Sequence, residues 1–255
     1  MRTAPRPRPG RGRRPAIGLL YAGTSGFSYP AWRGRFYPAG LPGSRMLAHY
    51  AERLNGVELN GSFYRTPDAA TLVRWAEQAT PGFRFCFKAH RGITYSAEGF
   101  DKVLAAGQVG ERLGALGSRL GPVLLQFPPV RPRDAGILDR VLEALGLRAA
   151  VEFRNESWFC DEVYRVLRAR GAALVVTDQE KWPLAPRLEL SPFSYYRLRR
   201  RYDASELERW RRELRAEAGA REEVHVYFRH DEEGPDWAPT AASSDPSGPA
   251  TRTVT

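Results

Sequence analysis

Two carboxylates in this sequence stand where chemistry could use them. Glu58 in VELNGSFYR and Glu152 in AVEFRNESWF each precede a second polar residue by two positions, Asn60 and Arg154. In an extended strand residues two apart share a face, so Glu58 and Asn60 point one way while Val57 and Leu59 point the other. Charged groups on the inward face of a strand are costly unless they pair with one another or open onto water. In a wet mouth, Glu58 or Glu152 could serve as general base and Lys88, in FRFCFKAH, as electrostatic stabiliser of developing negative charge. The competing reading is structural: Glu58, Lys88, Glu152 and Arg154 form a buried ion network that pins the fold and turns nothing over.

Further polar residues close similar β-rich runs. Ser25 ends LLYAGTS, Tyr64 and Arg65 follow GVELN, and Gln126 precedes the rigid pair Pro128-Pro129. Asn155 and Trp158 follow Arg154, Arg197 and Arg199 close SYYRLR, and Arg229 follows EVHVYF. Arg65, Lys88, Arg154, Arg197, Arg199 and Arg229 could hold phosphates, with Tyr64, Trp158 and Tyr196 as stacking faces. That set suits a hydrolase or lyase acting on a phosphate-containing or nucleic-acid ligand. A carbohydrate enzyme would instead use Glu58 and Glu152 as acid and base with Trp32, Trp158 and Trp182 as platforms, and only at an inverting separation. A non-catalytic binding module explains the arginines and aromatics without tuned carboxylates.

Other chemistries find little support. Of four histidines only His90 and His230 end a run, and the two cysteines, Cys86 and Cys160, have no CxxC spacing, so no metal cluster is expected. The first turn, GTSGFSYPAWRG, is neither GxGxxG nor a P-loop, and it is not the GxSxG that would make Ser25 a nucleophile. No nicotinamide, flavin or pyridoxal cofactor is implied.

The elements that must position these residues alternate. LLYAGTS, GVELN, FRFCFKA, PVLLQF, AAVEFR, ALVVTD, SYYRLR and EVHVYF read as eight strands separated by helix-like segments. In AGILDRVLEAL, Ile137, Leu138, Val141, Leu142 and Leu145 form an apolar stripe; Gly171 is placed to cap DEVYRVLRARG; Asp203 opens a further helix in capping-box fashion. Eight repeats over some 210 residues predict an α/β fold, a (β/α)8 TIM barrel, whose site lies at the C-terminal ends of the strands. After EVHVYF the sequence turns rich in Pro, Ser, Ala and Thr with no apolar stripe, so the usual final helix is expected to be missing. The expected organisation is a disordered basic arm over 1–17, one barrel domain over 18–237 and a disordered tail over 238–255.

The chain has 255 residues, 42% of them hydrophobic, enough to bury a full core. Six arginines fall within the first 14 residues, so more than half of the formal charge of +10 belongs to that segment. Such an arm either touches polyanions nonspecifically or solubilises the chain. No apolar run is long enough to span a membrane and the N-terminus lacks the apolar stretch of a signal peptide, which predicts a cytoplasmic protein with reduced thiols. Oligomeric state is not readable from the sequence.

GTSGFSYPAWRGRFYP, VELNGSFYRTP, FRFCFKAHRGITY, LGPVLLQFPP, AVEFRNESWF and HVYFRHDEEG, in that order, resemble the YecE-like family, domain of unknown function 72. The likeness runs from Leu19 to Gly234. It implies a TIM barrel allied in shape to the endonuclease IV and sugar isomerase barrels and leaves the activity open. The family's recurrent polar positions fall on Thr24, Ser25, Glu58, Asn60, Lys88, Gln126, Glu152, Arg154 and Trp158. Three features depart from its pattern: Leu198-Arg199-Arg200 stands where Leu-His-Gly is usual, Arg229-His230-Asp231 replaces an Asn-Asn-Asp-like turn, and the C-terminal helix is absent.

Overall fold

A computed structural model describes residues 18–96, 101–229 and 235–238. Each of the eight β-rich runs becomes strand: β1 (Leu19–Ser25), β2 (Gly56–Leu59), β3 (Arg84–Lys88), β4 (Leu120–Phe127), β5 (Ala149–Phe153), the divided pair β6 (Ala173–Leu174) and β7 (Val176–Asp178), β8 (Phe193–Leu198) and β9 (Glu223–Phe228). All neighbours pair in parallel, in the order β6-β5-β4-β3-β2-β1-β9-β8-β7. The two ends of that order belong to one run interrupted at Val175, whose N–H donates to Val151 O at 2.9 Å. Nine strands therefore fill eight positions of a nearly closed barrel, as the eight-run reading expects.

The crossover helices are α1 (Met46–Ala51), α2 (Ala69–Gln78), α3 (Arg91–Thr94), α4 (Lys102–Gly114), α5 (Ala135–Leu145), α6 (Asp161–Ala169) and α7 (Ala204–Ala218). Aspartates start four of them. Asp68, Asp101 and Asp134 accept from backbone N–H groups of the first turn, and Asp203 makes the expected capping box with Glu206. Of the α5 stripe, Leu138, Val141, Leu142 and Leu145 are buried. Gly171 takes a left-handed φ of 60° beyond α6, the conformation expected of it as a helix stop.

Alternation along the strands makes two cores. Outward residues such as Ala22, Val57, Phe85, Phe87, Val151 and Val226 pack under the helices. Inward residues Cys86, Leu124, Ala150, Ala173, Val175, Phe193, Tyr195 and Tyr227 fill the lumen. This lumen core is the floor on which the strand-end polar layer rests. Gly23 permits the tight β1–β2 approach there: a Cβ would lie 1.8 Å from Gly56 O.

Beyond β9 the structure adds something the sequence pattern did not announce. Residues 235–238 form one helical turn whose buried Trp237 packs edge-on against Tyr202, 5.6 Å between centroids, and against Phe228 at 6.1 Å. Asp236 pairs with Arg35 across that edge. The expected basic arm, His230 and Asp231, and all of the expected tail except Ala238 lie outside the described residues. Among the described residues no helix is long and apolar enough to cross a membrane.

Candidate functional site

Nine of the expected polar residues converge in one layer above the lumen core. Ser25 Oγ donates to Glu58 Oε1 at 2.7 Å from the end of β1. Arg197, on β8, reaches the same carboxylate twice, Nε to Oε2 and Nη2 to Oε1, both at 2.9 Å. Arg199 Nη2 donates to Oε1 at 2.7 Å, and Tyr195 Oη to Oε2 at 2.9 Å. The other amino group of Arg197, Nη1, bonds Glu152 Oε2. Glu152 Oε1 also accepts from Gln126 Nε2 at 2.9 Å and Arg154 Nε at 3.0 Å, and Lys88 Nζ donates to Gln126 Oε1 at 2.8 Å. Asn60 Nδ2, 3.4 Å from Glu58 Oε1, completes the contacts at the rim. A strand face that carries a carboxylate and an amide is thus explained: its neighbours around the barrel supply every partner.

The charges follow from this geometry. Burial alone would push Glu58 up, but the guanidiniums of Arg197 and Arg199 more than reverse it and hold the carboxylate well below its ordinary range. Glu152 experiences the same opposition, with Arg197 and Arg154 bringing it down to about 2. Burial lowers Arg199, and the like charge of Arg197 adds to that. Burial and then Arg197 bring Lys88 down to about 8. Both carboxylates are fixed anions whose lone pairs are occupied, which suits neither a general acid nor a free base. One guanidinium bridges them, which leaves no room for the acid and base pair of a glycosidase. The group that titrates near neutrality is Lys88.

Above this layer opens a cleft of about 430 Å³, lined among others by Asn60, Tyr64, Lys88, Arg154, Arg199 and Arg229. Tyr64 is 70% exposed at its edge. Among the described residues, the buried Thr177 Oγ1 on β7 has no hydrogen-bond partner. Phe63, one of the positions the family resemblance carries over, lies with its ring 3.9 Å from Lys88 Nζ, and two residues that the sequence reading did not assign also belong here: Gln179, which lines the cleft, and Tyr195 beneath Glu58. Tyr195 carried a signal, since it shares the inward face of β8 with Arg197 and Arg199 at spacings of two. Trp182, read as a sugar platform in the carbohydrate alternative, lies under the Arg154 guanidinium at 5.1 Å.

Four expected contributors are placed elsewhere. Trp158 is 1% exposed and stacks on Phe153 at 4.6 Å behind the strands, with Nε1 donating to Arg131 O, so it offers no stacking face. Asn155 is spent on local structure, donating to Pro129 O and accepting from Ser157 N. Tyr196 points outward beneath α7 against Trp210. Arg65 lines an adjoining groove of about 290 Å³ with His90 and Arg112, sharing Tyr64 with the main cleft. Trp32 is likewise packed, against Tyr29, Phe36 and Tyr37, and offers no sugar platform. Among the described residues no group of three His, Cys, Asp or Glu side chains is placed to hold a metal ion.

The family model described as protein of unknown function DUF72 matches residues 21–244. The chain belongs to the DUF72 family. Within it, the chain is 30% identical over 170 residues to UPF0759 protein YecE of Escherichia coli (strain K12), covering 63% of this chain and 59% of that protein. It is 27% identical over 175 residues to UPF0759 protein YunF of Bacillus subtilis (strain 168), covering 63% and 61%. The chain thus matches less than two thirds of the length of these relatives. A crystal structure of a DUF72 family protein from Thermotoga maritima superposes with a TM-score of 0.76 at 27% identity, covering 88% of this chain and 96% of that one. A second, from Enterococcus faecalis, gives 0.70 at 19% identity over 88% and 96%. Against the usual DUF72 pattern, Arg199 and Arg200 stand out: Arg199 is drawn into Glu58, and Arg200 pairs with Asp178 through Nε and Nη2 at 2.9 and 3.0 Å.

Proposed function

We propose that the strand-end cleft binds a phosphate-bearing ligand, a small phosphorylated molecule or a nucleic acid, and acts on it as a hydrolase or lyase. One observation carries this reading. Among the described residues, Lys88, Arg154, Arg197 and Arg199 meet two carboxylates, Glu58 and Glu152, and the surplus positive charge faces a cleft that Arg229 also lines. Partly desolvated arginines held in place by fixed anions form charge-assisted bonds to phosphate without paying to order themselves. In this reading Glu58 and Glu152 aim the arginines, and Lys88 is the group able to exchange a proton.

A thermal-shift panel tests it. A ligand that binds only the folded state raises the Tm with its concentration over its Kd. Nucleotides, sugar phosphates or short single-stranded oligonucleotides should raise it at physiological salt, and unphosphorylated counterparts should not. Stabilisation by polyanions alone, and only at low salt, would trace binding to the arginine-rich N-terminal residues and remove the support for this reading.

A further inference from the structure

Lysine is scarce in this chain. Of 39 lysines and arginines three are lysine, at positions 88, 102 and 181. Where a fixed positive charge suffices, the sequence uses arginine, which stays protonated under all ordinary conditions. Lys88 is the lysine of the cleft. Its Nζ lies against the Phe63 ring at 3.9 Å and bonds a neutral partner, Gln126 Oε1. Among the described residues no carboxylate comes within ion-pair distance of it, because Arg197 and Arg154 take the oxygens of Glu152 and Arg197 and Arg199 those of Glu58. Burial and the nearby guanidiniums disfavour the ammonium, while the Phe63 ring face, Gln126 Oε1 and the charges of Glu152 and Glu58 favour it; the first two outweigh the rest and leave an amine that can act as a nucleophile.

We infer that Lys88 is the nucleophile of a Schiff-base lyase reaction on a phosphorylated aldehyde or ketone, an assignment that rests on the phosphate reading of the same cleft. The neutral Nζ attacks the carbonyl carbon and the C=O pair moves to oxygen. The carbinolamine loses that oxygen as water together with both amine hydrogens, and a proton from solvent makes the iminium. Loss of a proton from the neighbouring carbon to water gives an enamine, whose electron pair expels phosphate from the next carbon. Addition of water then breaks the C=N bond and frees the lysine. Arg154, Arg199 and Arg229 line the same cleft as Lys88 and would supply counter-charge to the departing phosphate. Burial and Arg197 place the Lys88 proton equilibrium at about 8, so the reactive form is populated near neutral pH.

The full chain incubated with glyceraldehyde 3-phosphate and cyanoborohydride, followed by peptide mass spectrometry, decides the matter. The expected result is a reduced adduct on the Lys88 peptide, about tenfold more than with unphosphorylated glyceraldehyde, the factor that one charge-assisted hydrogen bond supplies. Its rate should climb as pH passes through about 8. Lys88→Arg should lose the adduct while background labelling of Lys102 and Lys181 persists, and Lys88→Gln should repeat the loss should the arginine variant fold poorly. Equal labelling of the three lysines, or undiminished labelling in Lys88→Arg, would overturn the assignment. Phosphate ligands that stabilise the fold without any Lys88 adduct overturn the nucleophile and spare the phosphate reading. Equal trapping of both aldehydes at Lys88 overturns the phosphorylated substrate class.

Discussion

The barrel carries a carboxylate-and-arginine cluster at each end of its lumen, and the two are built differently. At the N-terminal end, Glu223 pairs with Arg148 at 2.8 Å, with Arg84 at 3.9 Å and with His225 Nε2 at 3.0 Å. Both arginines lie against rings, Arg84 over Tyr21 and Arg148 over Phe193, 4.8 and 4.4 Å from the centroids. At the C-terminal end two carboxylates share three arginines, Lys88 and Arg154 lie against the Phe63 and Trp182 rings, and the cluster opens into a cleft. The same residue types therefore make a staple at one end and line a cleft at the other. What distinguishes the C-terminal cluster is that cleft together with its second carboxylate and its lysine.

Substitutions at the two ends should separate accordingly. The largest effect is expected from Arg197→Met, which leaves two buried carboxylates without their shared partner and should cost about 3–5 kcal/mol of stability, read by chemical denaturation. Glu223→Gln should cost less, about 1–3 kcal/mol for donors left underused, and should leave ligand-induced Tm shifts at the cleft unchanged. If it abolished those shifts, the two ends would not be independent. Acid titration sharpens the point. Glu152 and Glu223 are both held at about 2 against an ordinary value of 4.5, so the stability they contribute is complete above about 4.5 and is lost as pH falls toward 2. Glu223→Gln should flatten part of that loss in pH-dependent denaturation. The smallest stability change, within about 0.5 kcal/mol, is expected for the exposed Arg229→Gln, yet affinity for a phosphorylated ligand should drop about tenfold in a binding titration.

Much of the barrel is legible from period-two runs bounded by helical stripes, because a strand's inner face and a helix's apolar stripe are local patterns. The break at Val175 is not, since it arises from how the seventh and fifth positions pull on one strand, and neither is Trp237, a single apolar residue whose partners Tyr202 and Phe228 are distant or follow from the fold. In the site, residues on strands were placed correctly by alternation: Ser25, Glu58, Lys88, Gln126, Glu152, Arg197. Two residues of the turn after β5 fall elsewhere. Trp158 and Asn155 follow Arg154 closely in sequence, but the short turn after β5 folds the indole back behind the strands. Spacing along a chain says which face a strand residue occupies and says nothing of where a turn sends the next one. The buried ion network weighed for Glu58, Lys88, Glu152 and Arg154 lacks its main cations, because Arg197 on β8 and Arg199 just past it lie some 140 residues from Glu58.

The central claim is that the cleft itself, and not the arginine-rich N-terminal residues, holds phosphate. The most direct measurement is the Tm shift produced at physiological salt by a sugar phosphate or mononucleotide, taken on the full chain, on a chain beginning at residue 18, and on Arg154→Gln. The account predicts equal shifts in the first two and a much reduced shift in the third. A shift that disappears with residues 1–17 and survives Arg154→Gln would contradict it.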